Sequence, residues 1–346
     1  VNSRSGTARK LRIGIVGAGG IVRQRHLPGL RALPQVEVTA VCNSREESAR
    51  AIAEEFRIPE VIDEWAEMID RPDLDIIWIG TPPVLHAPIS ISALEAGKHV
   101  FCQARMAMNL GEAREMLAAA QARPQLVTML CPPPHGMRGD RFMQKLLGDG
   151  YVGEPWHFRL SALNAQFADP LAPPHWRQRR ELSGINVLTV GIYAEVIERW
   201  LGSPRRVRAQ MKVCVPKRQN YPVHMPDVVQ ASGQWANGLV GALEWSAVAQ
   251  FAPDETLAIY GRDGTLVYNF TQDKIFGARR GDSGLQELLV PAELERAWTV
   301  ERDFIQAVEN GGHPSPSFET GVKYMEFTEA LNLSARGGHA VELPLP

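Results

Sequence analysis

Along the first third of the chain, short and wholly apolar runs alternate with stretches in which apolar residues recur every three to four positions. The runs predict strands over 11–16, 36–42, 76–79, 99–102 and 125–130, and the stretches predict helices over 21–33, 46–56, 88–96 and 110–122. In the second helix Ala49, Ile52, Ala53 and Phe56 follow the i, i+3, i+4, i+7 spacing of one helical face. Strands alternating with helices imply a parallel sheet wound on both faces, and strands covered on both sides are apolar throughout.

From about residue 154 the pattern changes. Strands are predicted over 157–162, 206–215, 228–235, 239–247, 255–260 and 265–270, several alternating in hydrophobicity. Asn237-Gly238 and Asp263-Gly264 are hairpin turn signals between such runs. Helices follow over 184–201, 300–310 and 319–335, the last stopped by Gly337-Gly338. The expected fold is therefore α/β: an N-terminal doubly wound Rossmann sheet and a C-terminal α+β domain with a large, mostly antiparallel open sheet. The expected organisation is a loose tail (1–10), a dinucleotide-binding domain (11–131) and a substrate and oligomerisation domain (132–318). A C-terminal helix and tail (319–346) is expected to pack back toward the first domain.

Composition narrows the classes. The chain has 346 residues, 45% hydrophobic and 22% charged, with a net charge of -2. Its Lys and Arg are scattered, which argues against nucleic acid as the partner. No apolar run is long enough to span a bilayer and the polar start does not read as a signal peptide, so a cytoplasmic location with no membrane partner is expected. Cys42, Cys102, Cys131 and Cys214 lie far apart and are expected to be buried, reduced thiols. No metal constellation is visible; His224 and Asp227 have no obvious third partner.

Gly17-Ala18-Gly19-Gly20-Ile21 follows a strand and opens a helix, the context a dinucleotide fingerprint requires. Gly17 permits the tight turn, and Gly19 lets the backbone approach a pyrophosphate at the helix N-terminus. The third glycine position is Val22, so helix and strand are expected to pack wider there. At the end of the second strand stand Asn43, Ser44 and Arg45, where an acidic residue would bind the ribose hydroxyls of NAD. A neutral pair followed by Arg suits a 2′-phosphate, which favours NADP(H) over NAD(H).

Later segments make a resemblance specific: His26-Leu27-Pro28; Asp73–Thr81, reading DLDIIWIGT, continued by Pro82-Pro83-Val84-Leu85-His86; and Leu94-Glu95-Ala96-Gly97-Lys98-His99-Val100-Phe101-Cys102. Gly153-Glu154-Pro155, Gly191-Ile192-Tyr193, Trp200-Leu201-Gly202 and Pro316-Ser317-Phe318 extend it over nearly the whole chain. The sequence resembles the glucose–fructose oxidoreductase and inositol dehydrogenase family (Gfo/Idh/MocA). The resemblance implies a nicotinamide dinucleotide across the carboxyl ends of the parallel strands, with Thr81, Pro82, Pro83, His86 and Gln103 among its contacts. It also implies hydride transfer to or from a sugar, cyclitol or related ring, and a homodimer or homotetramer joined through the large sheet.

The sequence departs from the family at its acid–base positions. The family's Glu-Lys-Pro motif, whose lysine assists proton transfer, reads Gln103-Ala104-Arg105. Alanine exchanges no proton and Arg stays protonated, although Arg105 could hold an anion or a developing oxyanion. The family's Asp, with His or Tyr four residues on, reads Thr189 and Tyr193, which leaves Tyr193 as the conventional acid–base group. Asn186, one turn earlier, could face substrate, whereas Glu195 is expected to face solvent or a partner. His135, after three prolines, and His175 are candidate replacements for the lysine, and Trp176 and Arg177 candidate substrate contacts. Lys98 reads as structural. Three functions are compatible: an NAD(P)-dependent oxidoreductase with Tyr193 as acid–base group; a redox-neutral enzyme with tightly held nucleotide, working through a transient ketone; and a non-catalytic nucleotide-binding regulator.

Overall fold

A computed structural model describes residues 9–133 and 137–346. Two compact units divide the chain: residues 1–132 with 299–322, and residues 133–298 with 323–346.

The first unit is built on a six-stranded parallel sheet in the order β3-β2-β1-β4-β5-β6. Its strands are β1 (Leu11–Val16), β2 (Val36–Cys42), β3 (Glu60–Val61), β4 (Ile76–Ile79), β5 (His99–Cys102) and β6 (Thr128–Leu130). The order reverses beside β1, the position at which open α/β sheets bind ligands. All of β4 is buried, and Trp78 stacks on Phe101 at 3.7 Å between centroids. Burial on both faces explains why these strands read as continuous apolar runs.

The predicted first helix is instead a π-helical turn, Val22–His26, followed by a short α-helix, Leu27–Arg31. Pro28 has no amide hydrogen to continue the i→i−4 ladder, and the Leu27 amide bonds back to Val22. Arg9, assigned to a loose tail, is held by Asp75 at 3.0 Å.

Residues 299–318, expected in the second domain, belong with 319–322 to the first unit. Their helix Val300–Asn310 sends Glu301 to His26, and Phe304 packs on Trp78 and Phe101.

The second unit carries a nine-stranded, mostly antiparallel sheet in the order β16-β15-β14-β13-β7-β12-β11-β8-β17. Its members are β7 (Pro155–Leu163), β8 (Pro204–Lys212), β11 (Val228–Trp235), β12 (Val240–Ser246), β13 (Thr256–Gly261), β14 (Gly264–Asn269), β15 (Lys274–Arg279), β16 (Gln286–Leu288) and β17 (Val341–Glu342); a separate ribbon pairs β9 (Lys217–Arg218) with β10 (Tyr221–Pro222). Only β7 and β12 pair in parallel among these strands. Both turn signals fall in hairpins, β11–β12 and β13–β14. The C-terminal segment, expected to pack toward the first domain, adds β17 to the edge of this sheet beside β8.

The helix predicted over 184–201 is broken. Arg180–Ser183 is one short helix and Val190–Leu201 another. Gly184 takes φ +62 with ψ -125, which L side chains rarely adopt, and the Asn186 amide bonds the Ser183 carbonyl in place of the helical ladder.

Candidate functional site

In the first unit the carboxyl ends of the strands converge on the glycine turn. The Gly17 amide donates to the Cys42 carbonyl at 2.8 Å and the Gly80 amide to the Val16 carbonyl at 2.7 Å. Gly17 has φ +86, and a Cβ there would meet the Thr81 amide nitrogen at 2.6 Å. Gly80 lies against it: a Cβ on Gly80 would meet the Gly17 carbonyl oxygen at 2.3 Å and Val22 Cγ2 at 2.4 Å. The sequence expectation of wider packing at Val22 is thus corrected, because Gly80 supplies the space that the missing third glycine would have given. Gly19 and Gly20 are exposed and face open space.

Asn43 secures the turn from the second strand, accepting from the Ala18 amide at 2.7 Å and donating to Ser48 at 3.1 Å. Ser44 and Arg45 are exposed, and the Arg45 side chain has no partner among the described residues. Asp63 and Glu64 lie near the same strand end; with burial, which is the larger cause, they push the Cys42 thiol up to about 11.

Thr81 follows β4, and its hydroxyl is buried without a hydrogen-bond partner among the described residues. His86 is wholly buried, its two ring nitrogens facing the carbonyls of Arg105 at 2.9 Å and Thr81 at 2.7 Å. Burial lowers its pKa and the two facing carbonyls, which can only accept, oppose that shift; the ring lies between the turn after β4 and the segment after β5. Pro82 and Pro83 form the intervening turn. The Ala104–Arg105 peptide is cis, and Arg105 is buried.

Gln103 also turns inward. Its amide nitrogen lies 2.5 Å from His26 Nε2, while His26 Nδ1 lies 2.5 Å from a Glu301 carboxylate oxygen. In the arrangement that satisfies all three groups, Nδ1–H donates to Glu301 and Nε2 accepts from Gln103. The Cys131 sulfur lies 3.9 Å from the same ring. Gly29 is required beside this group, because a Cβ there would meet the Glu301 carboxylate at 2.7 Å.

A dinucleotide fits these residues. Gly17 to Ile21 offer a bare turn with open space over Gly19 and Gly20, and the buried Thr81 hydroxyl awaits a hydrogen bond at the strand-order reversal.

The second unit gathers different chemistry at one end of its sheet, where β7 and β12 finish and β13 begins. The Asn164 amide donates to the Ser246 carbonyl at 2.8 Å, and the Phe167 amide to that of Ala247 at 2.7 Å. Buried Arg218 clamps the loop beyond by donating to the carbonyls of Phe167 and Asp169. In this loop His175 Nδ1 accepts from the Arg177 amide at 3.2 Å, so its proton sits on Nε2 and its remaining lone pair is engaged. Burial, and secondarily Arg177, lowers the His175 pKa. The Arg177 guanidinium lies 4.4 Å from the Trp176 ring centroid and covers one face of it.

Tyr193 lies on the helix Val190–Leu201, one turn after Thr189, which precedes that helix. It is buried against Phe270 at 5.0 Å, and its hydroxyl donates to the Glu255 carboxylate. Burial first, and Glu255 second, push the phenol well above its usual pKa. Asn186 is buried nearby in sequence, capping Ser183. Glu195 is not solvent-facing as expected. Its helix is buried on nearly every side, and the Glu195 carboxylate pairs internally with Arg199. His135 lies outside the described residues.

Two groups escaped the sequence reading. Glu255 precedes a strand with no motif around it, and Glu301 stands 275 residues from its partner His26. Lys98 donates to the carbonyls of Arg71 and Leu74, a structural role. Cys42, Cys102 and Cys131 are buried and free, while Cys214, expected to be buried, is exposed. Among the described residues no group of three or more His, Cys, Asp or Glu side chains is placed to hold a metal, and no helix is long and apolar enough to cross a membrane.

A glycine turn at the order reversal of a six-stranded parallel sheet, joined to a second unit with a large mixed sheet, defines a dinucleotide-binding oxidoreductase of two domains. Residues 11–130 match the family described as "Oxidoreductase family, NAD-binding Rossmann fold", and residues 141–267 match the "GFO/IDH/MocA C-terminal domain". The chain belongs to the Gfo/Idh/MocA family of oxidoreductases.

Levoglucosan dehydrogenase of Pseudarthrobacter phenanthrenivorans is 26% identical over 387 residues, covering 97% of this chain and 99% of that protein. The 1,5-anhydro-D-fructose reductase of Ensifer adhaerens is 26% identical, covering 96% and 98%. D-apiose dehydrogenase of Paraburkholderia graminis is 27% identical, covering 99% and 92%. The solved structure of levoglucosan dehydrogenase in complex with NADH and levoglucosan shares the fold with a TM-score of 0.87 at 24% identity, covering 97% of this chain and 100% of that one.

Proposed function

We propose that this chain oxidises or reduces a secondary alcohol or ketone on a sugar, anhydrosugar or cyclitol, using a nicotinamide dinucleotide held by its first unit. The observation that carries the reading is the pair Tyr193–Glu255, an acid–base couple at the sheet end that also bears Asn164 and the loop of His175, Trp176 and Arg177. The full-length similarity to enzymes named for levoglucosan, 1,5-anhydro-D-fructose and D-apiose supports this substrate class.

When bound, the nucleotide accepts or delivers the hydride. Gly17, Ala18, Gly19, Gly20 and Ile21 hold its pyrophosphate at the helix N-terminus. Thr81, Pro82 and Pro83 flank the nicotinamide side, with His86 bracing the turn they form, while the Gln103 side chain is engaged inward by His26. Arg45, exposed beside Ser44 and without an ion-pair partner among the described residues, favours the 2′-phosphate of NADP(H). Asp63 and Glu64 near the same strand end favour NAD(H), which makes the preference a balance of charges. In the second unit Trp176 and Arg177 contact the ring, and Thr189 and Asn186 shape the surroundings of Tyr193. A homodimer or homotetramer is supported by a groove of ≈ 640 Å³ on the nine-stranded sheet, lined by the exposed Trp156 and Val240.

The test is turnover of a panel of levoglucosan, 1,5-anhydro-D-fructose and D-apiose with each nicotinamide nucleotide, read by nicotinamide absorbance. Turnover of at least one is expected. Nucleotide that survives purification, without net absorbance change on any sugar, would favour the redox-neutral reading instead.

A further inference from the structure

We infer that the second unit carries a site for a small phosphoryl anion. The site is a cavity of ≈ 210 Å³ between the end of β8, the helix break at 184–187 and the helix Phe318–Gly337. Its whole lining belongs to that one unit, and Tyr193, Glu255, Trp176 and Arg177 have no part in it. The inference stands apart from the oxidoreductase reading.

Two guanidinium groups and an imidazole border the cavity. Arg180, Arg336 and His224 come to it from three separate segments, and no Asp or Glu lines it. Among the described residues none of these three side chains forms an ion pair or a hydrogen bond. On a chain of net charge -2, two guanidinium groups at one small cavity without a counter-charge repel each other. An anion between them replaces that repulsion with charge-assisted hydrogen bonds.

Neutral donors stand beside the charged ones. Ile185 and Val187 line the same cavity, and both are buried. Gly184 ends the helix Arg180–Ser183, so the main-chain N–H groups of Ile185 and Val187 fall outside its ladder and meet no acceptor among the described residues. Buried amides are nearly always paired in native folds, and the anion supplies the acceptor that these two lack. Asn332 adds an acceptor of its own. Its side-chain N–H groups donate to the carbonyls of Ile185 at 3.2 Å and Thr328 at 2.9 Å, which leaves Oδ1 for a hydroxyl. A phosphoryl group that carries a hydroxyl, or is attached to one, satisfies the whole set. The cavity is smaller than the roughly 300–1,000 Å³ of pockets built for larger ligands, so inorganic phosphate or a short sugar phosphate fits and a dinucleotide does not.

The test is calorimetric titration of the full chain with inorganic phosphate, glucose 6-phosphate and glucose, in a buffer free of other multivalent anions. The glycine turn of the first unit also attracts phosphate, so Arg45→Ala is titrated beside the wild type. Equal phosphate binding by these two is expected. Arg180→Gln and Arg336→Gln should each bind phosphate roughly tenfold more weakly or worse, the scale of one charge-assisted hydrogen bond. Arg180→Lys keeps the charge and should keep most of the affinity. Both arginines are exposed, so the melting temperatures of these variants should match the wild type.

Tighter binding of glucose 6-phosphate than of inorganic phosphate would assign the occupant to an organic source, and equal binding to the free ion. Unchanged phosphate affinity in the double variant Arg180→Gln, Arg336→Gln would overturn the inference. So would loss of phosphate binding in Arg45→Ala, glucose binding as tight as that of glucose 6-phosphate, or no phosphate binding by the wild type.

Discussion

The substitution Gly80→Ala separates the glycine turn's two dependencies, on backbone freedom and on space. The added Cβ would sit 2.3 Å from the Gly17 carbonyl oxygen and 2.4 Å from Val22 Cγ2, where ordinary contacts lie about 1 Å farther out. Val22 can swing aside; the Gly17 carbonyl belongs to the turn itself. Inserting a methyl group into such packing costs about 1–3 kcal/mol. If that falls on the turn, affinity for the nucleotide drops about 5- to 150-fold. Gly19→Ala is the matched control, because its Cβ meets nothing within 4 Å and its φ carries no penalty. It should weaken nucleotide binding by intruding on ligand space and leave the melting temperature unchanged. Gly80→Ala should lower both, and adding Val22→Ala should recover only part. NADH and NADPH titration by fluorescence, alongside thermal melting, decides the matter. Unchanged melting and affinity in Gly80→Ala would refute the view that Gly80 stands in for the third glycine.

Arg45→Ala should weaken NADPH binding by about tenfold or more and leave NADH binding nearly unchanged; equal effects on both would show that Arg45 reads no 2′-phosphate. Glu301→Leu leaves the buried His26 Nδ1 without its acceptor and should cost about 1–3 kcal/mol in urea unfolding, against no loss if the pair is incidental. Burial raises the Tyr193 pKa, so the folded chain keeps this proton where the unfolded chain releases it. Its stabilising contribution is therefore complete below the ordinary phenol value of about 10 and declines at higher pH. In alkaline difference absorbance the Tyr193→Phe variant should trace the wild-type tyrosinate curve until unfolding, and an early missing step would contradict this.

The parallel sheet was legible because burial on both faces leaves strands such as β4 with no polar position to confuse the period. The β11–β12 and β13–β14 hairpins were legible from their glycine turns. Strands β15 and β16 were not, since Lys274–Arg279 mixes charge with Gly277 and lies near the sheet edge. The break before Val190 turned on Gly184 and Asn186, local competitors that an apolar periodicity does not register. The glycine turn was read from its motif, but its compensation at Gly80 lies on a different strand. Glu255, Glu301 and the placement of residues 299–322 depend on contacts between distant segments, to which spacing along the chain is blind.

The most direct test of the central claim is hydride transfer by the purified chain between a nicotinamide nucleotide and a deuterium-labelled anhydrosugar, such as levoglucosan. Label appearing in the reduced nucleotide is the result predicted. Absence of bound nucleotide and of label transfer across the whole sugar panel would contradict the account.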